Sequence, residues 1–204
     1  MRVVLASASP ARLEVLRRAG VQAQVRVSGV DEDAVTAGTP AALALTLAGL
    51  KASAVAGRIL PGDDQPLLII GCDSLLELDG EAQGKPVDAE QARQRWLTMR
   101  GRSGVLHTGH RLILRDGPES RMAEAVASTV VHFADVDDAE LDAYVATGEP
   151  LGVAGAFTVD GLGGPFISGI EGDHHNVVGL SLPLVRTLLR ELGVAIPDLW
   201  TATS

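Results

Sequence analysis

Asp73 and Lys85 lie in one short stretch, Leu67 to Pro86 (LLIIGCDSLLELDGEAQGKP), and could serve as an acid and a cation around a phosphate ligand. Leu67-Leu68-Ile69-Ile70 is an apolar run that suits a strand buried on both faces. An acid at the carboxyl end of such a strand needs a cleft, a metal or a cation, because an isolated carboxylate is costly in an apolar layer. Gly84-Lys85-Pro86 offers a cation on a rigid loop. Ligands of open α/β sheets bind at such strand ends. A structural strand with a solvated hairpin would look the same in isolation, so the rest of the chain has to decide.

Other residues of matching type recur on loops and element ends: Ser7, Ser9, Arg12, Glu32, Lys51 and Asp160. Carboxylates bind Mg²⁺ or Mn²⁺, cations bind phosphate oxygens, and one carboxylate can activate a water. Ser7-Ala8-Ser9-Pro10 joins a first strand to a first helix, and hydroxyls beside a helix amino end form a natural phosphate site. Arg12 sits in that helix's first turn, where a cation opposes the helix dipole, so it calls for an anionic partner. Several other chemistries are missing. The chain has no P-loop, no HExxH, no GxSxG and no paired-cysteine metal motif. The glycine-dense run Gly152 to Gly164 lacks the Rossmann spacing. His107 and His110 are three apart, which on a strand sends them to opposite faces. Cys72 reads as a small core residue, and His174-His175 as part of a polar loop.

The elements that must position these residues follow from composition and period. The chain has 204 residues, 46% hydrophobic and 21% charged, which suits one α/β domain with two lobes and no independent linker. Aromatics are only 3%, which predicts a core of Ala, Val, Leu and Ile. The single cysteine fits a reducing cytoplasm. No membrane span is expected, and the net charge of −9 argues against non-specific binding to nucleic acid. Between Lys85 and Arg115, seven Lys/Arg face two Asp/Glu, a local basic patch suited to an anion.

In order, the pattern predicts a strand at Val3–Leu5, a helix from Pro10 stopped by Gly20, and a second strand from Val25 through Val27 and Val30. A helix from Thr39-Pro40 through about Ala56 follows, then a polar loop from Gly57 to Gln65. Leu67–Ile70 is the buried strand, resumed at Leu75–Leu78, with Asp79-Gly80 as a hairpin turn. Next come a helix from Asp88 to about Met99 and a hairpin of Val105–Leu114 with Ala125–Phe133. A helix spans Asp137–Ala146, a short strand includes Phe166 to Ile170, and a last helix spans Leu182–Leu192. The expected fold is α/β, an elongated mixed sheet flanked by helices.

Five segments, in order, resemble the blocks of the Maf family of nucleotide pyrophosphatases. LASASPARLEVL (Leu5 to Leu16) is similar to LASxSPRRxxLL, and GCDSLLELDGEAQGKP to GADTxVxxDGxxxGKP. The run from Gly101 to Gly109 resembles SGRxHxVxTG. TGEPLGVAGAFTVDGLGG and GDHHNVVGLSLPLV resemble TGEPxDKAGAYxIQGxG and GxxxNVxGLPL. The resemblance implies a Maf/ITPase-like fold with a cleft between two lobes. It also implies a cytoplasmic enzyme that cleaves nucleoside triphosphates, including non-canonical or modified ones, to monophosphate and pyrophosphate. A divalent cation, often a homodimer, and a link to arrest of cell division come with the family. Carried over by residue, Asp73 is the proton acceptor, Lys85 and Lys51 contact phosphates, and Glu32, with Asp73, is a metal or water ligand. Ser7 and Ser9 form the phosphate-binding turn.

Three positions depart from the family pattern. Ala11 replaces the first of two arginines, leaving Arg12; Ser74 stands in place of Thr; Asp160 stands in place of Gln. An ionised Asp only accepts hydrogen bonds, whereas Gln also donates. The expectation is therefore an enzyme that is not a dTTP or UTP specialist. A nucleotide-binding regulator of division with little catalysis is the alternative that the lost arginine favours.

Overall fold

The computed structural model describes residues 1–59 and 65–200. Among them seven strands form one mixed sheet, in the order β2-β1-β3-β5-β6-β7, with β4 on the edge of β3. β1 (Arg2–Leu5) runs parallel to both β2 (Ala23–Val25) and β3 (Leu67–Leu78). Antiparallel pairs then join β3 to β4 (Glu81–Gln83), β3 to β5 (Ser103–Asp116), β5 to β6 (Glu119–Phe133) and β6 to β7 (Ile167–Glu171). Among the described residues six α-helices flank the sheet: α1 (Pro10–Arg18), α2 (Pro40–Arg58), α3 (Ala89–Met99), α4 (Asp138–Ala146), α5 (His174–Val178) and α6 (Leu182–Glu191).

Most helices start where side-chain chemistry places them. Ser9, Thr39, Asp88, Asp137 and Ser181 each accept a backbone N–H from the first turn of the helix that follows. Pro10 and Pro40 occupy first helical positions, where their missing N–H costs nothing. Asp79 and Gly80 both adopt positive φ, 55° and 84°, the pair of left-handed residues that a tight β3–β4 hairpin requires.

Four expectations change. β3 does not stop at Gly71; it runs unbroken to Leu78 because β5 pairs with it along its length. Asp73 therefore sits in mid-strand, not at a strand end. The second strand is confined to Ala23–Val25, and Val27 lies exposed beyond it. The polar run at Asp173–Asn176 folds as the start of α5, capped by Asp173, and Asn176 is completely buried. Of the loop expected from Gly57 to Gln65, α2 takes the first two residues; Pro61-Gly62-Asp63-Asp64 lie outside the described residues.

Alternation along β3 divides the core. Leu68, Ile70 and Cys72 join one cluster with residues of α1 and α6, while Leu76 and Leu78 join another with α3 and α4. All five share one face of the strand, with Ser74 between the two groups. On the opposite face Leu67 and Ile69 pack under α2. Five of the six aromatic residues are concentrated: Trp96, Phe133, Tyr144 and Phe157 belong to the α3–α4 cluster and Phe166 packs against it, while Trp200 is exposed. Trp96 meets Phe133, Tyr144 and Phe166 edge-on at centroid distances of 5.7, 5.7 and 6.0 Å. A scarcity of aromatics thus conceals one aromatic core.

α2 is apolar and long enough, by length and composition, to cross a membrane, but it is packed on the sheet. Its contact is backbone to backbone. A Cβ on Gly71 would lie 2.3 Å from the Ala48 carbonyl oxygen, and one on Gly109 would lie 2.3 Å from that of Ala44. Gly71 and Gly109 are on neighbouring strands: Gly109 pairs directly with Asp73, and Gly71 lies two residues before Asp73 on β3. The missing side chains let α2 descend far enough to place Lys51 over Asp73. Gly71→Ala should push α2 outward and destabilise the fold by about 2–3 kcal/mol, the usual cost of overpacking. Urea unfolding of the variant beside the parent protein measures it, and an unchanged midpoint would refute this packing.

Candidate functional site

The site is built around a gap in the sheet. On one side β3 is paired with β5 throughout; on the other, β1 covers Leu67–Ile70 and β4 covers Leu76–Leu78. Gly71 to Leu75 have no strand on that second side. β1 ends here and turns through Ser7-Ala8-Ser9 into α1, so the strand end that opens a crevice is that of β1.

Arg12 reaches into the gap and is 8% exposed. Its Nε donates to the Gly179 carbonyl at 2.7 Å, and Nη1 donates to the Cys72 carbonyl and to Ser7 Oγ, both at 2.9 Å. Nη2 donates to Ser74 Oγ at 2.9 Å. The anionic partner that its place in α1 called for is thus replaced by carbonyl and hydroxyl oxygens of the protein. The Cys72 carbonyl, left without a strand partner on the open side, is satisfied by this side chain.

The hydrogen bonds around Arg12 have a fixed direction. Thr108 Oγ1 lies 3.3 Å from the Asn176 carbonyl, to which only a hydroxyl can donate. The proton between Ser74 and Thr108, 2.9 Å apart, therefore comes from Ser74. The chain runs from Arg12 through Ser74 and Thr108 to the backbone of α5. Ser7 Oγ accepts from Arg12 and from the Ser9 amide at 3.2 Å, so its own proton is left to donate outward. Ser9 caps α1, accepting the Arg12 amide at 3.4 Å.

Asp73 projects from the other face of β3, under α2, and is 6% exposed. Its Oδ1 accepts from Lys51 Nζ at 2.5 Å. The same ammonium lies 2.7 Å from Glu32 Oε1, on the loop between β2 and α2. Glu32 is half exposed, while Lys51 and Asp73 are buried, so the three form a charged path from solvent to the strand. Burial pushes the Asp73 carboxyl above its ordinary value of 3.8, with Lys51 and Arg12 pulling the other way. Asp73 Oδ2 accepts no hydrogen bond among the described residues.

Lys85 and Asp160 stand apart from this cluster. Both are exposed, on the loop after β4 and on the turn after Phe157, and neither has a partner among the described residues. The Lys85 loop is nevertheless held: the Gly84 carbonyl accepts from Arg95 Nη1 at 2.5 Å and from the Gly155 amide at 3.0 Å.

Two carboxylates on one ammonium suit a hard cation. Mg²⁺ is commonly held by one or two carboxylates together with substrate phosphates, rather than by a cage of protein ligands. Glu32 and Asp73 are the two carboxylates available for that mode; among the described residues no group of three or more His, Cys, Asp or Glu could hold a metal. The histidines are occupied elsewhere. His107 lies between Glu77 Oε2 at 2.9 Å and Ser128 Oγ at 2.8 Å. His110 Nδ1 donates to the Thr108 carbonyl at 3.0 Å, and Nε2 accepts the Ser181 amide at 2.9 Å. They point to opposite faces of β5, as their spacing requires. Cys72 is fully buried and its thiol is pushed up to about 12 by that burial, which suits the core rather than nucleophilic chemistry.

The model of the family described as Maf-like protein matches residues 2–192. The chain belongs to the Maf-like family. A Streptomyces avermitilis relative is 60% identical over 200 residues, covering 98% of this chain and 95% of its own. A Salinispora tropica relative is 60% identical, covering 98% and 88%, and one from Rhodococcus erythropolis is 51% identical, covering 100% and 98%. Each is named a nucleoside triphosphate pyrophosphatase. The solved Staphylococcus aureus Ham1 protein overlays 66% of this Maf-like chain and 73% of its own at a TM-score of 0.36 and 17% identity.

Thr108, Asn176 and Glu149 are the polar residues of this Maf-like chain that residue types alone did not single out. All three sat inside the matched blocks, and for Thr108 and Asn176 burial as polar groups was the missing signal. Arg12→Leu should cost several kcal/mol, because it strands the Cys72 and Gly179 carbonyls and two hydroxyls at about 1–3 kcal/mol each. A thermal melt checks this; near-native stability would mean that the guanidinium is held for ligand instead. His110 offers a pH test. Burial lowers its value from 6.5 to about 4, so it folds neutral while the unfolded chain takes up a proton. Stability is complete above pH 6.5 and falls toward pH 4, by about 3 kcal/mol for this group. His110→Gln should remove that part of the acid loss, read as urea midpoints between pH 7 and 4.

Proposed function

We propose that this chain is a nucleoside triphosphate pyrophosphatase that cleaves the α-β phosphoanhydride with Asp73 as general base. The observation that carries the reading is the buried Asp73 carboxylate, bound through Oδ1 to Lys51, with Oδ2 unengaged among the described residues. A base raised by burial yet held charged by an ammonium can take a proton from water near neutral pH. Water attacks the α-phosphorus, its proton passes to Asp73 Oδ2, and the bond to the bridging oxygen breaks. Monophosphate and pyrophosphate leave.

The remaining groups divide the ligand between them. Ser7 donates its free proton to a phosphate oxygen, and the amino end of α1, beginning beside it, adds positive potential. Lys85 on its held loop supplies a cation to the triphosphate tail. A divalent cation held by Glu32 and Asp73 would screen the phosphate charge and polarise the bond being broken. Lys51 sets the two carboxylates and limits their mutual repulsion. Asp160 faces the base; as an acceptor alone it favours a base edge rich in N–H donors, so dTTP and UTP are not the preferred substrates.

Asp73→Asn should lower pyrophosphate release by at least about 10³-fold, at the scale of removing a general base, while the melting curve stays cooperative. The acid limb of kcat/KM in the parent enzyme should fall above pH 3.8, where an ordinary aspartate would titrate. A panel of normal and modified triphosphates with Mg²⁺ or Mn²⁺ reads both. Nucleotide binding without pyrophosphate release would replace the enzyme with a binding regulator.

A further inference from the structure

Glu149 forms the centre of the glycine-rich segment that carries Asp160. Its Oε1 accepts the Thr158 hydroxyl, the Gly163 amide at 3.0 Å and the Tyr144 hydroxyl at 3.3 Å. Oε2 accepts the Leu162 amide at 3.0 Å. Tyr144 also accepts the Thr158 amide at 3.2 Å, which ties the same turn to α4. Asp160 stands at the tip, exposed, with bound residues on either side of it. One carboxylate thus replaces the strand pairing that this segment lacks: between Phe157 and Gly164 no regular element holds the chain.

The wrapping is close enough to dictate residue types. A Cβ on Gly161 would lie 2.6 Å from Glu149 Oε2, and one on Gly163 would lie 2.5 Å from Tyr144 Oη. Two of the glycines in this glycine-dense run are therefore the space that the peg occupies. Burial pushes the Glu149 carboxyl up, but the bonds from Thr158, Leu162 and Gly163 outweigh it and leave it below its ordinary value, so the peg stays charged.

The Lys85 loop has other anchors. Arg95 and the Gly155 amide hold Gly84, and the Trp96 indole donates to the Ala156 carbonyl at 2.7 Å. Gly155 and Ala156 both take positive φ, 72° and 59°, a turn fixed from α3. The segment is pinned at Gly155–Ala156 for the phosphate side and at Glu149 for the Asp160 side. We propose that Glu149 is a positioning residue for base recognition: it fixes the Thr158–Gly163 turn so that Asp160 meets the nucleobase, without contributing to the chemical step. The proposal rests on the pyrophosphatase reading above.

Glu149→Gln replaces one oxygen with an amide that cannot accept, and so releases part of the turn. In the full-length protein, KM for the preferred triphosphate should rise about tenfold with kcat within twofold, and the spread of kcat/KM across a base panel should narrow. Inorganic tripolyphosphate, which has no base, should inhibit parent and variant with the same Ki. Gly161→Ala pushes on the same carboxylate without changing any charge and should give the same pattern, which covers the case of a misfolded Glu149→Gln. A fall in kcat at constant KM, an unchanged base panel, or a matching loss for tripolyphosphate would each overturn the proposal. A parent protein that releases no pyrophosphate from any triphosphate would instead sink the pyrophosphatase reading, and this inference with it.

Discussion

The contact between the Lys51 ammonium and the Asp73 carboxylate sets the terms for the rest of the molecule. Both groups are buried, and two ions leave water only at a cost that their attraction must offset. Taking away either partner from such a pair typically costs about 3–5 kcal/mol, because the other charge is stranded. The pair therefore demands an exact depth for α2, and that depth is obtained by placing glycine at 71 and 109, where the helix backbone touches the strands. Glu32, half in solvent, takes the other side of the ammonium, so the trio holds one more carboxylate than ammonium.

The second constraint is the open edge of β3. A mid-sheet strand with unpaired groups is a liability that proteins close with side chains or use for ligands. Here both happen within five residues. Arg12 closes the Cys72 carbonyl and, through Ser74 and Thr108, links α1 to β3, β5 and α5. The side chain of Asp73, on the other face, is left to the crevice. Parity along one strand thus divides two faces: even positions build two apolar clusters and the polar chain between them, while odd positions pack Leu67 and Ile69 under α2 and present the Asp73 carboxylate to Lys51.

Most elements were legible because local signals agree with the fold. Caps, prolines at first helical turns and the Asp79-Gly80 pair place α1 to α4 and the first hairpin closely. What escaped depends on pairing across the sheet. Gly71 looks like a stop in sequence, yet it is a gap for α2, and only β5 lying alongside reveals one long strand. The start of α5 is written in polar residues, because its Asn176 points inward to the Leu106 carbonyl and Thr129 rather than to water. Arg12 misread locally for a related reason: its partners come from β3 and from the turn after α5, far away in sequence. Glu149 stood inside the matched TGEP block, but its role did not show, because a single carboxylate organising a loop has no period and no spacing.

The positions that depart from the family pattern can now be ranked by their freedom to meet a ligand. Ser74 has its proton committed to Thr108 and accepts from Arg12, so a hydroxyl there serves the scaffold first. Arg12, in turn, directs its Nε and both Nη nitrogens at protein oxygens. Ala11 lies beside it and supplies no polar group. Asp160 alone among them is exposed and without a partner among the described residues. A residue held on a strand by ladder hydrogen bonds changes little without disturbing the sheet, whereas one on a turn pegged by a single carboxylate can change its side chain and keep its place. On the proposed reading, base choice can therefore vary at position 160 while the carboxylate and ammonium between α2 and β3 stay fixed.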